Sequence, residues 1–378
     1  MTDPKPLRVL HVHSGNLYGG VESMLLTTTV LKDAAPIDNR FALCFEDRLS
    51  QELKEAGASV STLGAVRVSR PWTGWSARRR LSRLLAADRP DVAVVHSGWS
   101  HAIFGPTIQR SRIPLVRWFH AIPDDRNRLD RWSRHTLPTF SVANSDYTAA
   151  GVRKQDGAVP LAVVRPPVPP PPAEASSSRA RIRAELGAKD GTCVILQVGR
   201  MEAGKGHRVL FQALAQLKDR SDWVAWEAGG AQREEELGYV GALGLLAAKH
   251  GIASRIRFLG ERRDVRNLLA AADVYCQPNQ TPESFGITFV EALYAGLPVV
   301  TSAMGGAKEI VDTSCGVLVP AGDAVALADA LWGMIGDRAR RRAAGAAGPM
   351  RALTLCDPAA RVREMHQALA TAASSRYG

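Results

Sequence analysis

The chain has 378 residues, a length that suits two domains, and its 46% hydrophobic and 22% charged residues exclude wholesale disorder. Its apolar runs, such as Val92–Val95, fall far short of the ~20 residues of a membrane span, and residues 1–6 lack the apolar stretch of a secretory signal, so a cytoplasmic protein is expected. The net charge of +11 is uneven: residues 1–170 carry 23 Lys and Arg against 15 Asp and Glu, residues 171–378 carry 25 against 22, which points to an anionic partner for the first half or to an arginine-rich composition alone.

In chain order, strands are predicted at 8–13, 41–45, 60–63, 92–96, 115–119 and 140–143, with helices at 21–31, 76–87 and 101–109. The run from Arg165 to Ser178 is rich in Pro and Ser and is expected to form neither helix nor internal strand. Strands resume at 194–198, 224–228, 256–259, 274–277, 299–301 and 317–319. Helices are predicted near 207–217, 234–250, 265–271, 288–295 and 324–334, and a helical tail over 358–374. Alternating short apolar strands and helices specify α/β architecture with parallel sheets. The predicted organisation is a Rossmann-like domain over 1–168, a linker over 169–178, a second Rossmann-like domain over 179–352, and a C-terminal helix within 353–378 that crosses back to the first domain. Two doubly wound sheets joined this way are expected to enclose a ligand cleft at the carboxyl ends of their strands.

Five scattered cysteines, Cys44, Cys193, Cys276, Cys315 and Cys356, contain no C-x-x-C pair, so neither a disulfide framework nor a cysteine zinc site is expected. The segment Val198-Gly-Arg-Met-Glu-Ala-Gly-Lys-Gly-His207 follows a strand and opens a helix. Its glycines permit close backbone approach, and Arg200 and Lys205 set two cations beside a helix N-terminus, an arrangement suited to a diphosphate. It is neither a Walker A loop nor a G-x-G-x-x-G dinucleotide loop; the simpler alternative is a glycine turn with two solvated cations. In Pro282-Glu-Ser-Phe-Gly-Ile-Thr-Phe-Val-Glu291, Glu283 precedes a helix and Glu291 lies inside it. Carboxylates there accept hydrogen bonds from sugar or ribose hydroxyls, and the amides of residues 284–287 form a helix N-terminus between them. His11, His13, His96, His101 and His120 cluster near strand ends without a metal-binding spacing, and a satisfied core or surface histidine is the simpler reading for most of them. Pro71-Trp-Thr-Gly-Trp-Ser-Ala-Arg-Arg-Arg-Leu-Ser-Arg-Leu-Leu85 reads either as a basic helix on an anionic membrane or as an ordinary sheet-covering helix. No nucleic-acid motif accompanies the charge.

The pair Gly-Arg-x-x-x-x-Lys-Gly at 199–206 and Glu-x7-Glu at 283–291 resembles retaining glycosyltransferase family 4. Leu17-Tyr-Gly-Gly-Val-Glu22, His120, Ala143-Asn-Ser145, Gly305-Gly-Ala-Lys-Glu309 and Gly316–Pro320 extend the resemblance over nearly the whole chain in the right order. Val164-Arg-Pro-Pro-Val168 departs from the Asn-Gly often found there. The resemblance implies a GT-B fold and transfer of a sugar from a UDP- or GDP-linked donor to a glycan, lipid-linked or metabolite acceptor. It implies that Arg200 and Lys205 neutralise the donor diphosphate, and that Glu283 holds the donor sugar with the amides of Phe285, Gly286 and Ile287. Glu291 would hold the ribose, Gly19, Gly20 and Gly199 would line the diphosphate, and Gly260 and Arg262 would border the base. His120 would meet the transferred sugar, and His96 is a candidate for the acceptor. The chain contains no Asp-x-Asp, so no metal or other cofactor is expected, the two cations taking the metal's place. Peripheral contact with the inner face of the membrane is a further expectation. The rival readings are a nucleotide-sugar epimerase on a similar fold and a nucleotide-sugar-binding protein that has lost activity.

Overall fold

The computed structural model describes residues 5–67, 69–155, 157–231 and 234–375, and divides into two compact units, 1–168 with 356–378, and 169–355. Among the described residues no helix is long and apolar enough to cross a membrane.

The first unit is a seven-stranded parallel sheet in the order β3-β2-β1-β4-β5-β6-β7, built from β1 (Leu7–His13), β2 (Ile37–Leu43), β3 (Ser59–Thr62), β4 (Val92–Val95), β5 (Leu115–Phe119), β6 (Phe140–Ala143) and β7 (Leu161–Val163). Both faces are covered, so successive residues of one strand enter different cores. Val9 packs with Phe41, Val94 and Trp118, while Leu10 and Val12 pack with Ala93, Val95 and the helix Pro71–Ala87. The helix Pro358–Ser374 closes the first of these cores with Val362, Met365, Leu369 and Ala372. Asp357 caps it, its carboxylate accepting from the Ala360 amide at 2.6 Å.

The second unit is a six-stranded parallel sheet, β10-β9-β8-β11-β12-β13, with β8 (Cys193–Val198), β9 (Trp223–Ala228), β10 (Ile256–Gly260), β11 (Val274–Gln277), β12 (Val299–Ser302) and β13 (Gly316–Val319). The strand order reverses at β1/β4 in the first unit and at β8/β11 in the second, and in doubly wound sheets such a switch point leaves a crevice at the carboxyl ends. All five cysteines are free and buried.

Several elements depart from the sequence reading: β2 runs over Ile37–Leu43 rather than 41–45, and the short helices Arg48–Glu55, Arg128–Ser133, Asp146–Gln155, Arg179–Glu185 and Ala307–Ile310 were not predicted. Within 165–178, Ala173–Ser177 is helical and belongs to the second unit. The prolines end at Pro172, and the Ala-Glu-Ala-Ser-Ser that follows has no missing amide to break a turn. A 19-residue helix, Arg338–Cys356, occupies a stretch for which none was predicted; it accommodates Pro349 and a run of arginines that hide its apolar periodicity. The three-residue β7 also went unpredicted.

Leu369 is fully buried. Leu369→Ala should therefore destabilise the first unit by ~2–5 kcal/mol, read as a lower midpoint of chemical unfolding; an unchanged midpoint would contradict the place of the C-terminal helix in that core.

Candidate functional site

In the second unit the loops after the adjacent strands β8 and β11 interlock. Beyond Val198 the chain makes a short 3-10 turn, Ala203–Lys205, and Gly206, at φ 79°, starts the helix His207–Gln216. A Cβ on Gly206 would lie 1.8 Å from the Pro278 carbonyl oxygen, so only glycine fits both the backbone angle and the approach. The Gln280 amide donates to the Gly204 carbonyl at 2.8 Å, and the Gln197 side chain donates to the Lys205 carbonyl at 2.9 Å. These constraints bring Lys205 Nζ to 2.6 Å from Glu283 Oε2, each side chain being about a fifth exposed (21%). Glu283 is pinned in turn: the Gly306 amide donates to its carbonyl at 2.7 Å, and a Cβ on Gly306 would meet the Ser284 carbonyl oxygen at 2.6 Å.

Arg200 is also paired, with Glu202 at 2.9 Å and Glu236 at 3.3 Å. Its carbonyl lies 3.3 Å from His207 Nε2, whose Nδ1 lies 2.8 Å from the buried Glu227 carboxylate. The two cations are thus held by carboxylates rather than solvated singly. Gly199 approaches Gly229 so closely that a Cβ on the latter would meet the Gly199 carbonyl oxygen at 1.7 Å.

Phe285 is buried and Gly286 precedes the helix Ile287–Tyr294, which carries Glu291. Glu291 lines a small cavity with Pro169, Pro171, Arg266, Leu269 and Ala295. Loss of solvent pushes its carboxyl up to about 7, against the opposing pull of Arg266. Gly260 ends β10 and accepts from the Gly229 amide at 2.8 Å. Arg262 lies in the next turn, clamped to Asp264 at 2.7 and 2.8 Å and to Glu185 at 3.0 Å.

In the first unit the Gly19 amide donates to Glu22 Oε2 at 2.9 Å, and Gly20 opens the helix Gly20–Val30. The other Glu22 oxygen accepts from His13 at 2.7 Å. His11, His96 and His120 form a connected series: His11 Nδ1 to His96 Nε2 is 2.9 Å, and His96 Nδ1 to His120 Nε2 is 3.0 Å. Their nitrogens are committed to one another rather than converged on a point, as metal binding would require. Burial is the main reason that the rings stay neutral, holding His11 at about 4, His120 at about 3 and His96 well below the usual imidazole range. His96 is buried with both nitrogens engaged, which corrects its candidacy for direct acceptor contact. His101 lies inside the helix Gly98–Arg110, its imidazole likewise lowered to about 3 by burial.

The helix Pro71–Ala87 leaves Trp72 and Trp75 exposed, at 66% and 60%. Arg79 lies 4.6 Å over the Trp75 ring. Two of the helix's arginines are tied to the protein's own backbone, which weakens the membrane reading of the stretch: Arg78 donates to the Ile103 carbonyl at 2.6 Å and Arg80 to the Leu63 carbonyl at 3.0 Å. Pro106, inside the helix Gly98–Arg110, has no amide to donate to the Ala102 carbonyl, which Arg78 reaches at 3.4 Å.

Sequence reasoning missed Glu202, an unassigned position inside the 199–206 motif, Glu236, which lies in no recognisable motif, and Asn39, whose contact with His11 depends on strand neighbours that only the sheet order reveals.

The family described as Glycosyl transferases group 1 matches residues 178–351, and Glycosyltransferase Family 4 matches residues 18–170. A phosphatidyl-myo-inositol mannosyltransferase of Mycobacterium leprae is 40% identical over 158 residues, 41% of this chain and 40% of the relative. One of Mycolicibacterium smegmatis is 27% identical over 77% of this chain and 80% of its own length. At the higher identity the chain thus spans well under two thirds of the curated relative it matches. The crystal structure of Anabaena HepE in complex with UDP and glucose superposes with a TM-score of 0.85 at 21% identity, over 97% of this chain and 100% of that one. With two parallel α/β sheets of this order and both family matches end to end, the chain belongs to the group 1 glycosyltransferases of family 4 and has the GT-B fold.

Proposed function

We propose that the protein is a retaining hexosyltransferase that takes a sugar from a UDP- or GDP-linked donor without a metal ion. The observation that carries this reading is the Lys205–Glu283 pair at 2.6 Å, set across two interlocked loops at the switch point of the second unit. An ammonium and a carboxylate held side by side suit a ligand that is anionic at one end and hydroxyl-bearing at the other. Lys205 and Arg200 stabilise the negative charge that develops on the departing diphosphate, a task that preorganised cations perform well in a partly dry site. Glu283 accepts from hydroxyls of the sugar, and Glu291 from those of the ribose. The amides of Phe285, Gly286 and Ile287 assist at the phosphate side, as does the glycine backbone at Gly19, Gly20 and Gly199. The acceptor oxygen bonds the anomeric carbon as the bond to the phosphate oxygen breaks, and that phosphate oxygen takes the acceptor's proton. His120 contributes a contact to the transferred sugar, and Gly260 and Arg262 border the base.

The names of the relatives, phosphatidyl-myo-inositol mannosyltransferases, support an acceptor that is anionic or lipid-linked. In this chain Trp72, Trp75 and Arg79 form an exposed aromatic and cationic strip suited to an anionic leaflet. Binding to vesicles containing phosphatidylglycerol should fall as salt rises and fall further in Trp72→Ala/Trp75→Ala. Equal binding by that variant would remove the strip from the account.

Turnover should persist in excess EDTA, and under the same conditions Lys205→Ala and Arg200→Ala should each lose roughly 10²–10³ in rate while remaining folded. Near-normal rates in both variants would contradict the diphosphate assignment, and a requirement for Mg²⁺ or Mn²⁺ would contradict the absence of a metal.

Glu291 gives a pH signature. Its carboxyl sits at about 7 in the free protein, and ribose hydroxyls that donate to the carboxylate lower it in the complex. Nucleotide affinity is therefore complete above that value and weakens as pH falls, by at most about tenfold per pH unit for one proton. Calorimetry at several pH values should show this slope in the wild type and its loss in Glu291→Gln, after the shared titration of the nucleotide phosphate is subtracted; identical profiles would disprove the ribose contact.

A further inference from the structure

We propose that Asn39, His11 and His96 form a hydrogen-bonded relay that fixes His120 as a ring with a bare Nδ1, making His120 an acceptor for a substrate hydroxyl and a poor neighbour for a carboxylate. The inference rests on the reading of His120 as a sugar contact, but the relay itself is defined within the first unit.

The argument is a count of hydrogens. The four residues come from four consecutive strands of the sheet, Asn39 on β2, His11 on β1, and His96 and His120 directly after β4 and β5. The Asn39 carboxamide oxygen has only lone pairs and lies 3.0 Å from His11 Nε2, so that nitrogen carries the hydrogen. A neutral imidazole has one N–H, so His11 Nδ1 is bare. The 2.9 Å contact to His96 Nε2 then needs a hydrogen on His96, which leaves His96 Nδ1 bare. The 3.0 Å contact to His120 Nε2 repeats the step and leaves His120 Nδ1 as the bare end. Among the described residues no hydrogen bond to that atom is recorded, and His120 is half-buried, whereas the other two rings are buried.

Neutrality is enforced twice. Neighbouring rings in the series stack at centroid distances of 5.2 and 5.3 Å, so charging one raises the cost of charging the next. An extra proton on His11 Nδ1 or His96 Nδ1 would also place two hydrogens in a single N···N gap. Burial is the main cause of the low imidazole values of all three rings, and the charges of His13 and, for His96 and His120, of Arg117 lower them further. Trp118 stacks on His120 with an interplanar angle of 4°, which fixes the ring plane and so the direction of the bare lone pair. Asn39, His11 and His96 are thus positioning residues for His120. A lone-pair acceptor at this place favours a neutral hexose, whose hydroxyl can donate, over a hexuronate, whose carboxylate cannot.

The test reads the tautomers directly. Full-length protein labelled with ¹⁵N-histidine is studied by long-range ¹H–¹⁵N correlation at neutral pH, with resonances assigned through His11→Gln and His120→Gln. The expected result is the Nε2–H tautomer in His11, His96 and His120, and a mixture of tautomers at His120 in Asn39→Leu. A wild-type His120 that is doubly protonated, or protonated at Nδ1, overturns the relay, and this holds whether or not Asn39→Leu folds. An Asn39→Leu protein that retains a single Nε2–H tautomer at His120 overturns the anchoring role of Asn39. In competition binding, a nucleoside diphosphate hexuronate should bind at least ~10-fold more weakly than the matching hexose; equal binding overturns the preference. If the tautomers are as expected but neither sugar nucleotide binds, the donor reading fails and the relay stands.

Discussion

The close approach of two loops sets the geometry of everything charged in the second unit. Gly206 lies against the Pro278 carbonyl, and Gly306 against Ser284, so a side chain at either position would force the loops apart. Lys205 and Glu283 are 78 residues apart in sequence and meet at 2.6 Å because these backbones interlock. The pair is partly exposed, so its own contribution to stability is small, about 0–1 kcal/mol for such an ion pair. Its importance is positional: backbone contacts, rather than the ion pair, hold both groups at the carboxyl ends of β8 and β11.

The two units solve opposite electrostatic problems. The second concentrates formal charge and balances it locally, Lys205 against Glu283 and Arg200 against Glu202 and Glu236. In the first unit the stacked imidazoles instead stay neutral, through burial and beside the buried cation Arg117. Glu291 lies between these regimes: its half-buried carboxyl is raised to about 7, close enough to neutrality for ligand hydroxyls to decide its ionisation.

Much of the fold was legible because buried parallel strands read as short apolar runs; Leu115–Phe119 and Val274–Gln277 have the predicted limits, as does the helix Pro358–Ser374. The helix Arg338–Cys356 was hidden because Pro349 and its leading arginines imitate a surface loop, and Ala173–Ser177 because neighbouring prolines dominate the local composition. The motifs at 199–206 and 283–291 were legible as glycines and charges at fixed spacing. Their pairing was not, since it depends on β8 lying beside β11. The histidine series shows the same limit: His11, His96 and His120 are visible as residues, but their bonding order and the part of Asn39 follow only from which strands are neighbours.

The central claim is that the cations of the second unit recognise a diphosphate. Titration calorimetry of the uridine and guanosine mono- and diphosphates tests it most directly. The account predicts that, in whichever series binds, the diphosphate binds at least ~10-fold more tightly than the monophosphate, about 1.4 kcal/mol, and that Lys205→Ala removes most of this advantage. Equal affinities for mono- and diphosphate in the wild type would contradict it.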